Sequence, residues 1–387
     1  MSSQVLGAGY ASVVESDVPL HVRREVSVGG YGGDSQFGQT AETAVEAPRL
    51  QWFFAEGATH SGFNLFYVIV NPNPRPTHVW VKFLRQDTQA PVLREYDIAA
   101  FARRTIWVDQ EIPLLAQAEV GAVVSSVSPN DPGDAHPPVV VERVMYLANP
   151  VSRFAGATAS KGTDALQTTW YLAEGATGSY FDAFVLMVNP WRNGDARVRI
   201  TYLLPDGSSV VRQHVVPQES RTSVWVDRED QRLADTAFAA RVESLDGVGI
   251  AVERTMWWPG PTPATWYEGH TSAAAPALGT EWMVVPSYPE DYLTIANFAG
   301  TPAFVLVQSF CNGSGVCSAA ASKTYEVAPG ARFSLLVQHD LPYPGGAFVM
   351  LESIGTDPVP ILVEHSSYRD GASKWGAGTN TLAFRLR

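Results

Sequence analysis

The stretch QWFFAEGATHSGFNLFYVIVNPN (residues 51–73) returns as TWYLAEGATGSYFDAFVLMVNPW at 169–191, and more loosely as EWMVVPSYPEDYLTIANFAG at 281–300. Its leading tryptophans, Trp52, Trp170 and Trp282, stand 118 and 112 residues apart, a period that fits one small β domain with a connector. The later parts of the copies align as well. RRTIWVDQ (103–110) matches SRTSVWVDR (220–228) and ARFSLLVQ (331–338), while VVVERVMY (139–146) matches GIAVERTMW (249–257) and PILVEHSSY (360–368). The first copy is longer by an insertion at 128–138, SPNDPGDAHPP, which reads as a surface loop.

Within a copy the hydrophobic period is two. Val198, Ile200 and Tyr202 point one way, Arg199 and Thr201 the other. Runs of 5–9 residues rich in Val, Ile, Phe and Trp are separated by Asn71-Pro72-Asn73-Pro74, Pro205-Asp206-Gly207 and Pro329-Gly330. Seven such runs per copy, in the second near 169–173, 183–189, 197–204, 209–216, 221–227, 236–244 and 248–257, predict an antiparallel two-sheet sandwich. The fold class expected is therefore all-β: three tandem seven-stranded immunoglobulin-like sandwiches. Residues 11–26, ASVVESDVPLHVRREV, match only the end of a copy, so they predict a β-hairpin left from an incomplete module.

The expected organisation is a partial module (its last two strands) and linker at 1–50, sandwiches at 51–150, 151–260 and 261–370, the last two each opening with a linker, and a tail at 371–387. The connectors at 27–47, 149–167 and 259–279 are rich in Gly, Ala, Ser and Thr, which predicts linkers about which neighbouring modules swivel. A chain that starts part-way through a repeat reads as a piece of a longer protein with upstream modules.

The 387 residues carry 27 basic and 39 acidic side chains, a net charge of −12 and no basic run. That balance argues against nucleic acid and anionic membrane as partners. No apolar stretch reaches the 18 residues of a spanning helix, so no membrane insertion is expected. No phosphate-binding loop, HExxH, CxxC or GxSxG motif occurs, and the acidic clusters 131–134 and 227–230 lack alternating calcium-loop spacing. No catalytic residue, metal or cofactor is expected.

Four sets of residues stand out. Glu56 and Glu174 share the apolar alternation face of the first strand, and Arg143 and Arg254 that of the last; the third copy replaces both at once, with Pro286 and His365. This covariation predicts a structural ion pair inside each unit, Glu56 with Arg143 and Glu174 with Arg254. Glu142, Glu253 and Glu364 on the last strand, and Arg104, Arg221 and Arg332 on the fifth, suggest a cross-strand pair. Cys311 and Cys317 flank one hairpin tip and are placed for a disulfide. Trp80, Trp191, Trp258, Trp266 and Trp375 fall on a polar face, in a turn or beside linkers, as aromatics that stack on sugars or anchor an interface would.

The run W-[FY]-[FL]-A-E-G-A-T at 52–59 and 170–177, with Asn71-Pro72 and the V-E-R-x-M of 141–145, resembles tandem immunoglobulin-like repeats of large exported bacterial proteins. The resemblance covers most of 11–368 and departs in the third unit, which loses the Glu, the Gly after it and the Arg. It implies an extracellular or cell-surface setting and no catalytic residue. Three roles follow as expectations: a structural or adhesive stalk or presentation scaffold, carbohydrate-binding accessory modules of a larger secreted enzyme, or a fibre subunit self-assembling through the N-terminal hairpin, with other protein modules or surface polysaccharide as partners.

Overall fold

The computed structural model describes residues 9–18, 20–29, 36–87, 89–148, 154–260, 262–286, 290–310, 322–341, 348–370 and 375–387. Cys311 and Cys317, and with them the disulfide expectation, lie outside the described residues.

The period-two runs become strands in the places where the alternation put them. The chain opens with β1 (Arg23–Gly29) and β2 (Gln36–Thr43), an antiparallel pair forming a two-stranded sheet of its own. Unit 1 follows with β3 (Gln51–Phe54), β4 (Phe63–Val70), β5 (Thr77–Arg85), β6 (Val92–Ile98), β7 (Arg103–Trp107), β8 (Val120–Ser125), β9 (Val140–Leu147) and β10 (Gly156–Lys161). Unit 2 repeats them as β11 (Thr169–Leu172), β12 (Asp182–Asn189), β13 (Ala196–Leu203), β14 (Ser209–Val216), β15 (Ser220–Trp225), β16 (Ala239–Ser244), β17 (Ala251–Trp258) and β18 (Glu268–Ala273). Unit 3 consists of β19 (Glu281–Val284), β20 (Asp291–Asn297), β21 (Ala303–Phe310), β22 (Ser322–Val327), β23 (Ala331–Leu336), β24 (Phe348–Ile354), β25 (Ile361–Arg369), β26 (Ala377–Leu382) and β27 (Phe384–Arg385).

Each unit is an antiparallel sandwich. In unit 1 the sheets run β3-β8-β5-β6 and β10-β9-β4-β7; unit 2 repeats both orders, and in unit 3 the pair β19–β24 gains β27 on its outer edge. Trp52 and Trp170 are buried and donate Nε1 to the carbonyls of Val139 and Ile250, each at 2.8 Å, which ties the first strand to the segment before the last.

Three expectations are corrected. The connectors are not free linkers: residues 36–43, 156–161, 268–273 and 377–382 are strands, each paired with the last strand of its own unit. The strands β2, β10, β18 and β26 also pack side by side in that order, and β26 returns to β2, so the four hairpins close a ring. Close approach explains the glycine near the start of each: a Cβ on Gly156 would stand 2.4 Å from the Tyr267 carbonyl oxygen, and one on Gly38 2.6 Å from that of Ala155. The incomplete module keeps one strand of the predicted two, because 11–16 form no ladder.

The units are also not autonomous. The outer face of the β3-β8-β5-β6 sheet packs on that of the β12–β17 pair through Phe53, Ala55, Leu84, Val123, Leu186, Val188 and Ala251. Buried on both faces, β17 is covered along its whole length, whereas β9 of unit 1 alternates buried and half-buried. Trp257 of unit 2 inserts into the core of unit 1 beside Phe63, ring centres 4.8 Å apart, and Tyr368 of unit 3 enters the core of unit 2.

Candidate functional site

The polar chemistry of the chain concentrates where units meet, around the Ala-Glu-Gly turn that follows β3 and β11. Strand pairing stops at Phe54, so the next backbone groups need other partners. Several of those partners come from the following unit. Glu253 on β17 takes the amides of Ala55 and Glu56 on one carboxylate oxygen, each at 2.7 Å, and the Ser160 hydroxyl on the other at 2.9 Å. Arg143 Nη1 donates to that carboxylate at 2.7 Å and to the Glu56 carbonyl at 3.0 Å. Arg221 on β15 donates to the Gly57 carbonyl at 2.7 Å. The Glu56 side chain accepts from Thr255 Oγ1 at 2.8 Å and faces Arg221 Nη2 at 3.9 Å.

The seam between units 2 and 3 repeats this plan. Glu364 takes the Ala173 amide at 2.7 Å and Arg254 at 2.9 Å, Arg254 also donates to the Glu174 carbonyl, and Arg332 donates to the Gly175 carbonyl. Glu174 faces Arg332 Nη2 at 3.4 Å and accepts from Thr294. The turn glycines are obligatory here, since a Cβ on Gly57 would stand 2.4 Å from the Val120 carbonyl and one on Gly175 within 2.4 Å of the Phe238 ring.

The ion pairs predicted within units are therefore corrected to pairs between units. Arg143 does lie on the inward face of β9, over the Phe54 ring, yet its carboxylate is Glu253 and not Glu56; Arg254 likewise holds Glu364 and not Glu174. Glu56 and Glu174 sit past the strand ends, where alternation no longer assigns a face. The suggested cross-strand pairs fail for the same reason: Arg221 and Arg332 face carboxylates of the preceding unit. The covariation has a different cause. In the third unit His365 turns to Asp291 at 3.3 Å, and among the described residues no further unit supplies the carboxylate that Glu253 and Glu364 supply at the two seams.

Burial opposes charge in several of these groups. Burial alone would raise the Glu119 carboxyl, but the His60 ring, Arg221 and the Ser223 hydroxyl hold it at about 2. Glu268 in the ring of central strands is pushed well up by burial, against three backbone amides that it accepts, from Gln39, Ala157 and Gly269. His270 beside it is pushed well down by burial and by Arg254. Burial, with the nearby Asp182 charge adding to it, raises Asp227 to about 6, against the Ala183 and Gly178 amides.

None of the five tryptophans stands free as a sugar platform. Trp80 is covered by His78 and by His136 of the 128–138 insertion. Trp191 packs between Phe53 and Lys82 at the first seam. Trp258 is buried and donates to the Trp375 carbonyl, Trp266 donates to Asp182, and Trp375 donates to Glu290 while stacking on Tyr368. Sequence reasoning missed the central strands, although Gly-x-Thr at 38–40, 156–158 and 269–271, and Gly378-Thr379, repeat through the supposed linkers. Among the described residues no group of His, Cys, Asp and Glu could hold a metal, and no helix is long and apolar enough to cross a membrane.

No family model matches the chain, and no curated protein matches it. Three solved structures are similar to parts of it. Thermotoga maritima 1070 aligns at 16% identity and a TM-score of 0.25 over 31% of this chain and 96% of its own. A tetra-tandem repeat from the extending region of a large adhesion protein aligns at 12% and 0.12 over 95% and 82%, and the FN1–FN3 domains of chicken CNTN1 at 10% and 0.13 over 82% and 97%.

Proposed function

We propose that this chain is a non-catalytic presentation scaffold of the cell surface or extracellular space, in which three β-sandwiches are locked round a ring so that their outer loops keep a fixed geometry. One observation carries the reading: at the two seams the repeated carboxylates and guanidiniums, which would be the reactive groups of an enzyme, are enclosed between units with backbone amides and carbonyls as their partners. A flexible stalk does not fit connectors that are themselves ring strands. Carbohydrate-binding modules find no free aromatic platform in the five tryptophans. The surface setting rests on the resemblance of the Trp-x-x-Ala-Glu-Gly repeats.

Two measurements test the reading. Spin labels at the exposed Gln117 of unit 1 and Gly300 of unit 3 should give one narrow distance distribution; a broad one refutes fixed geometry. A membrane-impermeant thiol reagent applied to intact cells should label Gly300→Cys, and labelling only after lysis would refute the surface setting.

A further inference from the structure

The two seams between units follow one plan, but among the described residues the fourth corner of the ring holds the hairpin β1–β2 and the segment before it in place of a whole unit. Arg24 on β1 pairs with Glu142 as Arg143 pairs with Glu253, which puts β1 in register with β9, β17 and β25. Those strands are flanked on both sides in their sheets, whereas β1 belongs to a sheet of two. Residues 11–16, ASVVES, repeat AARVES of β16, a strand held between β11 and β13. Without such neighbours Val14 is 55% and Leu20 52% exposed, against 0% for Val242 and Ile250 at the matching positions of unit 2.

Unit 1 presents the other half of the same vacancy. Val68, Val70, Val140, Glu142, Val144 and Tyr146 are half-buried, while their counterparts in unit 2, from Leu186 and Val188 to Trp257, are buried against unit 1. Tyr146 matches Trp257 and Tyr368, each of which enters the core of the preceding unit. The Arg104 side chain is 45% exposed and paired with its neighbour Glu111, where Arg221 and Arg332 are 1% and 6% exposed under the Ala-Glu-Gly turn of the unit before.

We propose that residues 9–18 and 20–28 and this face of unit 1 form a docking site for the front five strands of a fourth repeat, supplied from outside residues 1–387. Charge and shape specify the occupant. It carries an Ala-Glu-Gly turn whose carboxylate meets Arg104 and whose carbonyls receive Arg24 and Arg104. It also brings an aromatic on its second strand to receive Tyr146 as Phe63 receives Trp257, a first and a third strand to flank 11–16, and a second strand to run beside β1 as β4 runs beside β9. The inference concerns assembly and stands whether or not the scaffold reading does.

The test uses the front strands of unit 2 as probe. The purified chain is mixed with a polypeptide of residues 164–230, and in a second arm that segment is fused ahead of residue 9, which raises its effective concentration. The expected result is hydrogen exchange slowed tenfold or more at residues 11–28 and 66–70, with a one-to-one complex by light scattering in the mixture. Tyr146→Ala should abolish the gain, and Arg104→Ala should weaken binding about tenfold, with exchange in units 2 and 3 unchanged. Unchanged exchange in both arms overturns the proposal, as does a dimer of the chain alone that already buries Tyr146 and residues 11–16.

Discussion

At the scale of single residues, the seam arginines and carboxylates are expected to dominate stability because each is enclosed with its charge. Arg143→Ala leaves Glu253 buried beside two amides without its cation and should cost about 3–5 kcal/mol in urea denaturation, whereas Arg104→Ala, at an exposed pair, should cost no more than about 1 kcal/mol. Equal costs would refute the distinction. Asp227 gives a pH signature. Its folded pKa of about 6 exceeds the unfolded value near ~3.9, so between those pH values the folded state binds more protons, and its contribution to stability falls as pH rises. Asp227→Asn should flatten that decline, and parallel profiles for the two proteins between pH 4 and 6.5 would refute the assignment. His270 acts in the opposite sense: its folded pKa is depressed, so the stability it contributes is present above the unfolded value of about 6.5 and lost on acidification below it. The charges of Glu56, Arg143, Glu174 and Arg254 were legible in the sequence as a linked set, since they vanish together from the third unit. Their pairing was not, because covariation names residues that share a fate and does not say across which boundary they touch.

Among the elements, the central strands carry the largest difference between sequence reading and structure. Short Gly/Ala/Thr-rich segments have little apolar side chain to alternate, so periodicity could not distinguish a strand buried on all sides from a linker. Their packing makes a direct prediction. Gly156→Ala must displace the Tyr267 backbone and should lower stability by about 2 kcal/mol or more, while Gly300→Ala, with open space and no left-handed φ, should be near neutral. Similar unfolding midpoints for the two variants would show that the strands do not approach so closely. Glu268→Ala would leave three backbone amides without their acceptor and should cost roughly 3 kcal/mol. The paired elements of each sandwich were readable throughout, because their alternating Val, Ile, Phe and Trp residues and their Pro, Asn and Gly turns agree locally with the final fold.

For the whole molecule, closure of the ring is the property with consequences in solution. A compact body of this length has a radius of gyration of about 21 Å, and a string of sandwiches on free linkers would be half again as large. Small-angle scattering should return the compact value; removing residues 377–387, which takes away β26 and so breaks the ring between β18 and β2, should raise it. The sequence by itself determined the repeat, its period, the all-β class and the strands of each unit, since all of these depend on local periodicity and turn chemistry. Only the tertiary structure decided that connectors are strands, that cores are shared through Trp257 and Tyr368, and that the seam arginines Arg143, Arg221, Arg254 and Arg332 find their carboxylates in a neighbouring unit. Such contacts join residues 110 to 198 positions apart, and in a repeating chain the same residue types recur once per repeat, so position in space alone selects the partner.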